Sequence, residues 1–159
     1  MAGTTHALNA VADGLRLPLE FAKTDRRALV EIPSVDDVSP EVKTIFDEIQ
    51  IFYAMDRVPG VFRWMARDQI FLQGYWMAVR EAFADRKLDR LTKEILALAA
   101  SMTAKSDYGV DLHLREARRL GLSDQGFTEA VEVVQLFNTV TKIADALQLQ
   151  PDFNPRAGG

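Results

Sequence analysis

Apolar and polar positions follow the spacing of amphipathic helices along most of the chain. From about residue 39 onward, apolar residues recur every three or four positions, and no segment shows the strict alternation of a half-buried strand. The pattern predicts helices over residues 39–56, 59–84, 89–104, 107–120 and 123–149. Ser39 and Ser123 suit the N-cap position, and Gly121 suits a helix C-terminus. With a short helix possible within residues 10–21, we predict an all-α bundle of five or six helices.

The 159 residues divide into one predicted domain and two ends. Pro18 and Pro33 interrupt any long helix near the N-terminus, so residues 1–28 are predicted to be an arm or tail. Residues 29–150 form the predicted helical domain. Residues 151–159, which contain two prolines and end in two glycines, are predicted to be a second tail.

Charge and composition exclude several classes of protein. The net charge of −4 argues against nucleic-acid binding, because phosphate recognition requires a basic surface. The apolar stretches are too short for a membrane span, and residues 1–13 lack the pattern of a signal peptide, so we expect a cytoplasmic protein. The chain has no cysteine, which excludes disulfides, thiolate nucleophiles and zinc–cysteine sites.

Two ionisable residues occupy positions where the helical pattern predicts apolar ones. Glu94 lies three residues after Leu91 on the apolar face of the third predicted helix, and His113 lies three residues after Val110 on the fourth. Burying such groups without partners costs several kcal/mol, so we expect the two side chains to meet. The pair could serve only to fix helix packing, or it could carry out general acid–base catalysis.

A longer motif contains this pair. Glu94 is followed, after eleven residues, by Ser106-x-x-Gly109 and, after three more, by His113. This spacing resembles the active-site motif of the alkylhydroperoxidase D family, in which the serine and glycine places hold cysteines. Flanking segments are also similar to that family: residues 58–63, 93–99, 119–123, 137–138 and 144–147. The resemblance covers roughly residues 29–149 and implies a helical core that assembles as a trimer or hexamer.

The departure from the motif changes the chemistry that the resemblance implies. In the thiol members the second cysteine attacks the peroxide, the first resolves it, and Glu and His relay the proton. Gly109 has no side chain, and the Ser106 hydroxyl is not oxidised by peroxide and forms no disulfide. The proton relay therefore remains without its redox atoms, and we expect no thiol peroxidase activity.

A second resemblance indicates what such a relay could do. His113-Leu114-Arg115 resembles a stretch of the 4-carboxymuconolactone decarboxylases, a cysteine-free branch of the same superfamily that acts on a small lactone acid. The resemblance implies a cofactor-free lyase or isomerase for a small organic acid or lactone. His113 would transfer the proton and Glu94 would orient it. The alternative is a degenerate, non-catalytic binding or assembly protein.

Further residues are candidates for contact with a small-molecule substrate. They are three arginines, two polar residues of the motif and one aromatic residue: Arg63, Arg67, Arg115, Ser106, Tyr108 and Trp64. Each also has a structural interpretation, as a solvated surface arginine, a packing contact or a core aromatic. A metal site built from one His and one Glu would be weak, so we expect no metal and no cofactor.

The predicted second helix is rich in large apolar residues. It carries more of them than one face of a small monomer would bury, and exposed apolar patches of that kind mark interfaces. We therefore expect a homo-oligomer, either a trimer or a hexamer, with no nucleic-acid or membrane partner.

Overall fold

The computed structural model describes residues 12–13, 17–23, 25 and 27–150. Within these ranges it contains helices and no strand, which confirms the predicted all-α class. Six helices follow the N-terminal segment before residue 40, which is called the arm from here on: α1 (Pro40–Tyr53), α2 (Gly60–Met65), α3 (Gln69–Phe83), α4 (Arg90–Thr103), α5 (Asp107–Arg119) and α6 (Asp124–Ala146). The predicted tail at residues 151–159 and the first 11 residues lie outside the described part. No described helix is both long and apolar enough to cross a membrane.

Side-chain caps set where most of these helices begin. As predicted, the Ser39 hydroxyl accepts a hydrogen bond from the backbone N–H of Val42 at 3.3 Å, and the Ser123 hydroxyl accepts one from Gly126 at 3.0 Å. A side-chain oxygen does the same at the start of three further helices: Asp68, Asp89 and Ser106. Each cap supplies a partner to a backbone donor that the helix leaves unpaired.

The prediction of a single helix over residues 59–84 is wrong, because the structure has two helices there. The chain leaves helical geometry between Met65 and Gln69, and Asp68 takes an extended conformation. The Asp68 carboxylate accepts a hydrogen bond from the Phe71 N–H at 3.0 Å and so caps α3. A short acidic side chain can compete for backbone donors in this way and start a new helix inside an apolar pattern.

The main core lies where α1, α2 and α3 meet the arm and the start of α5. Its largest members include Trp76 of α3, Tyr53 of α1 and Phe62 of α2. The Trp76 indole N–H donates to Glu48 at 2.6 Å, so the ring's polar atom has a partner inside an otherwise apolar cluster. A smaller cluster around Leu98 joins α4 to α5, which follow each other after a turn of three residues.

Helix α6 differs from the other long helices because none of its residues is buried. It packs against α4, where the Asn138 amide donates to the Thr103 hydroxyl at 3.2 Å. Six large apolar residues on or just after α6 are more than half exposed: Val133, Leu136, Phe137, Val140, Ile143 and Leu147. Trp76 and Phe83 of α3, by contrast, lie in the chain's own core. The largest excess of exposed apolar surface is thus on α6, and not on the predicted second helix.

The described part of the arm lies against the body of the same chain. The backbone N–H groups of Phe21 and Ala22 donate to the Asp111 carboxylate of α5 at 2.9 and 2.8 Å. The Glu20 carboxylate accepts a hydrogen bond from the Gly60 N–H, at the start of α2, at 2.7 Å. These contacts hold the arm across the N-terminal halves of α2 and α5.

Replacing Asp111 with Ala removes both acceptors for the arm amides. We expect the Phe21 and Ala22 amides to exchange with solvent at least several-fold faster, because an amide without its acceptor opens more often. Residue-resolved hydrogen exchange measures this directly. Asp107→Ala, on the exposed first turn of the same helix, is the matched control. Equal exchange in the two variants would contradict attachment of the arm through Asp111.

Candidate active site

Glu94 and His113 meet in the interior, as the sequence predicted. Glu94 Oε2, from α4, lies 2.7 Å from His113 Nδ1, from α5. The two residues are 0% and 2% exposed. A carboxylate accepts and does not donate, so the contact places a proton on Nδ1 and leaves the lone pair of the neutral ring on Nε2. The pair therefore fixes both the orientation and the tautomer of the imidazole.

Arg90 binds two buried carboxylates at once. Its Nε donates to Glu94 Oε1 at 2.7 Å, and its Nη2 lies 3.5 Å from Glu116 Oε2. The guanidinium carbon lies 3.7 Å from the centre of the Phe52 ring and 5.1 Å from that of Phe83. Charge pairing and cation–π contact together compensate for taking this cation out of water.

Glu116 is fully buried and receives two further guanidinium groups. Arg119 Nη2 lies 2.9 Å from Glu116 Oε2, and Arg115 donates to Glu116 Oε1. Arg115 also donates to the backbone carbonyl groups of Tyr53 and, at 3.0 Å, of Ala54. Arg115 was predicted to contact substrate, but in this structure it joins α5 to the C-terminal end of α1.

Sequence reasoning missed Arg90 and Glu116, although spacing signals were present. Arg90 lies four residues before Glu94, which places the two on one helix face. Glu116 lies three residues after His113 and three before Arg119, so it continues the same face of α5. An alternation of acid and base at these intervals also occurs on solvated helix surfaces, and for that reason it did not identify a buried cluster.

The second ring nitrogen of His113 has no partner. Its Nε2 is buried, and no described residue forms a hydrogen bond with it. The Phe83 ring stacks on the imidazole, with ring centres 5.9 Å apart and an angle of 13° between the planes. Neither of the two cavities described below has His113 in its wall. Both residues of the pair are therefore buried, and the basic Nε2 of His113 has no hydrogen-bond partner among the described residues.

Ser106 and Tyr108 contact the arm. The Ser106 hydroxyl accepts a hydrogen bond from the Gly109 N–H at 3.1 Å and donates to the Asp13 carboxylate at 2.5 Å. The Tyr108 hydroxyl donates to Glu20 at 2.5 Å. Burial, and secondly the nearby Glu20 charge, raise the pKa of Tyr108, so its hydroxyl remains a donor. The motif positions that hold cysteines in thiol relatives thus lie beneath the arm.

The other predicted contacts lie elsewhere. Arg67 is exposed and donates to the backbone carbonyl of Glu31 at 3.1 Å, which ties down the arm. Trp64 is half-buried and packs edge-on against Phe71. Arg63 lines a cavity that His113 does not reach. Within the described part of the chain, no group of three or more acidic or histidine side chains is placed to hold a metal ion.

Comparison with known proteins agrees with this fold and motif. The model of the carboxymuconolactone decarboxylase family matches residues 71–150, half of the chain, from α3 to just beyond α6. The chain belongs to the carboxymuconolactone decarboxylase family. Glu94 and His113 lie inside the matched residues 71–150, whereas the arm, α1 and α2 lie outside them.

A solved structure extends the likeness to the fold. The crystal structure of the alkylhydroperoxidase AhpD core from Rhodospirillum rubrum superposes with a TM-score of 0.73 and 28% sequence identity. The match covers 79% of this chain and 94% of that one. No curated protein matches the sequence. The predicted resemblance, for a family member without cysteine, is confirmed.

Replacing Glu116 with Gln should destabilise this family member by about 3 kcal/mol, because it removes the fully buried anion that three partly buried guanidinium groups share. Denaturant-induced unfolding measures the free energy. Glu81→Gln is the matched control, since the Glu81–Arg86 pair is about two-thirds exposed, and such pairs contribute at most about 1 kcal/mol. Equal losses in both variants would show that the buried cluster does not hold α4 to α5.

Proposed function

We propose that this member of the carboxymuconolactone decarboxylase family is a cofactor-free acid–base catalyst of the lyase or isomerase type. Its substrate would be a small organic acid or lactone. The observation that carries the proposal is the buried, unpartnered Nε2 of His113, on a ring whose other nitrogen is held by Glu94. A buried polar atom without a partner is rare in folded proteins, and a catalytic role is one of its recognised explanations.

The chemistry needs only one proton-transfer atom. Neutral His113 would accept a proton at Nε2 from a carbon next to a carbonyl group, and the electron pair left on carbon would delocalise into that carbonyl as an enolate. In an isomerase, the imidazolium would then return this proton to a different carbon. In a lyase, no proton is removed first: the broken bond to the departing carbon dioxide would supply the electron pair of the enolate, and a protonated His113 would donate its Nε2 proton to that carbon. Glu94 would stabilise the imidazolium through Nδ1, and Arg90 would keep Glu94 in place.

The proposal excludes thiol-dependent hydroperoxide reduction, because that reaction needs a sulfur atom to be oxidised and re-reduced. The chain has no cysteine, and Ser106 and Gly109 stand at the corresponding positions. The Ser106 hydroxyl is also engaged as a helix cap and as a donor to Asp13.

A second candidate function is that of a non-catalytic binding or assembly protein. The specific observation in its favour is the burial of the pair, because His113 is 2% exposed and its ring face is stacked on Phe83. A substrate can reach Nε2 only if the side chains around His113 move. The two candidates therefore differ in whether a small molecule ever contacts His113.

Nitrogen NMR of the His113 ring separates them. The chain has only two histidines, so the His6→Gln variant leaves one ring to observe. For a catalyst, carboxymuconolactone or a related lactone acid should shift the Nε2 signal. Glu94→Gln should lose the single tautomer and reduce turnover by at least about 100-fold, the usual range for an acid–base group. The control variant Glu81→Gln should keep both the single tautomer of His113 and the turnover of the wild type.

The same NMR samples can also give a result that contradicts acid–base catalysis. A His113 signal that stays unchanged with every acid and lactone tested, with no release of carbon dioxide and no isomerised product, would overturn the acid–base proposal. It would leave the non-catalytic function. Consumption of an alkyl hydroperoxide with a dithiol reductant, lost in His113→Ala, would instead require a non-thiol redox mechanism.

We also propose that the chain works as a homo-oligomer, a trimer or a hexamer, assembled through α6. A largely apolar cleft of about 420 Å³ between α4 and α6 supports this, with small residues such as Ala99 and Ala100 on one side and Val133 and Phe137 on the other. Together with the exposed apolar residues of α6, it provides a surface that a monomer would leave in water. The partner would be another copy of the chain.

Phe137→Glu should convert the oligomer to a monomer, because it places a charge in the apolar surface of α6. Sedimentation velocity at micromolar concentration measures the assembly. Gln135→Glu, at an exposed polar position two residues earlier, is the control and should sediment like the wild type. A monomeric wild type, or an oligomer that survives Phe137→Glu, would contradict assembly through this face.

A further inference from the structure

A cavity of about 620 Å³ lies between the arm and the first two helices. The arm supplies one wall, with Leu19 and Ile32, and the body supplies the other, with Phe46 and Val58. Every residue that lines it precedes residue 64, so the cavity lies wholly outside the part of the chain that matches the family model. A cavity of this size is in the range that holds small organic ligands.

Arg63 brings an uncompensated cation to this cavity. Arg63 is half-buried, and its Nε atom is buried. No described residue forms a hydrogen bond with this Nε or an ion pair with the guanidinium group. Glu20 and Arg57, which also line the cavity, form an ion pair: Arg57 Nε lies 3.6 Å from Glu20 Oε2, and the Glu20 carboxylate also accepts from Tyr108 and Gly60. A partly buried guanidinium without a partner favours an anion beside it.

The remaining charges indicate which anion fits. Apart from the Glu20–Arg57 pair, the exposed charged groups that line the cavity are three carboxylates, from Asp36, Asp47 and Asp56, and the ammonium group of Lys43. Three exposed carboxylates against one ammonium group repel a second negative charge near solvent. A ligand with one carboxylate at Arg63 and an uncharged, apolar remainder avoids that repulsion and uses the apolar walls.

We propose that this cavity is a binding site for a small monocarboxylic acid with an apolar body. Its carboxylate binds Arg63, and its apolar part packs between the arm and α1. The site is separate from the Glu94–His113 pair, since His113 is absent from its wall. It therefore goes beyond the proposed function, and either can fail without the other.

Hexanoate is the test probe. Hexanamide is the control without a charge, and adipate is the control with a second carboxylate. Binding is measured by calorimetry, and its location by backbone amide shifts at Val58 and Gly60. We expect hexanoate to bind at least about tenfold more tightly than hexanamide or adipate, since a hydrogen bond to a charged group contributes at least that much. Acetate, which lacks the apolar body, should bind more weakly still.

Arg63→Gln keeps hydrogen-bond donors but removes the charge, and it should weaken hexanoate binding about tenfold or more while leaving hexanamide unchanged. Arg86→Gln removes an arginine charge remote from the cavity and should bind hexanoate as the wild type does. The proposal is overturned if hexanoate and hexanamide bind equally or if Arg63→Gln binds like the wild type. It is also overturned if the shifts appear at the His113 ring and not at Val58 and Gly60, a result that would support the acid–base proposal alone.

Discussion

The packing of α4 against α5 depends on one guanidinium group between two buried carboxylates. Arg90 contacts both Glu94 and Glu116, and neither carboxylate is exposed to solvent. Two like charges this close would repel strongly in a low-dielectric interior without a cation between them. Because Glu94 also holds His113, the position of the imidazole follows from the same contact. Helix packing and candidate chemistry therefore share one electrostatic origin.

The N-terminal arm lies outside the region that matches the family model. It covers the N-terminal end of α5, where thiol relatives carry cysteines, and contacts Ser106, Tyr108 and Asp111 there. The chain has no cysteine, and these positions serve as anchor points for the arm. The arm also forms one wall of the cavity beside Arg63, opposite α1 and the start of α2.

Local signals predicted the helices well and the contacts only in part. Ser39 and Ser123 cap helices as expected, because a cap depends on residues within one turn. The interruption at Asp68 was missed, since apolar spacing continues across it. The helical pattern, which places Glu94 and His113 on apolar faces, predicted the contact between them. It gave no sign that Arg115 would bind the end of α1, because that contact joins residues about 60 positions apart.

The amino-acid sequence alone specified the helical class, the absence of thiols and the inward position of Glu94 and His113, and a resemblance of its motif and flanks indicated the family. The first three follow from periodicity and composition, which are local properties of the chain. Tertiary packing decided that Arg90 and Glu116 complete the cluster, that Phe83 stacks on the imidazole and that Arg63 lines a separate cavity. Each of these depends on which helix faces lie against each other, and that is settled only when the whole core packs.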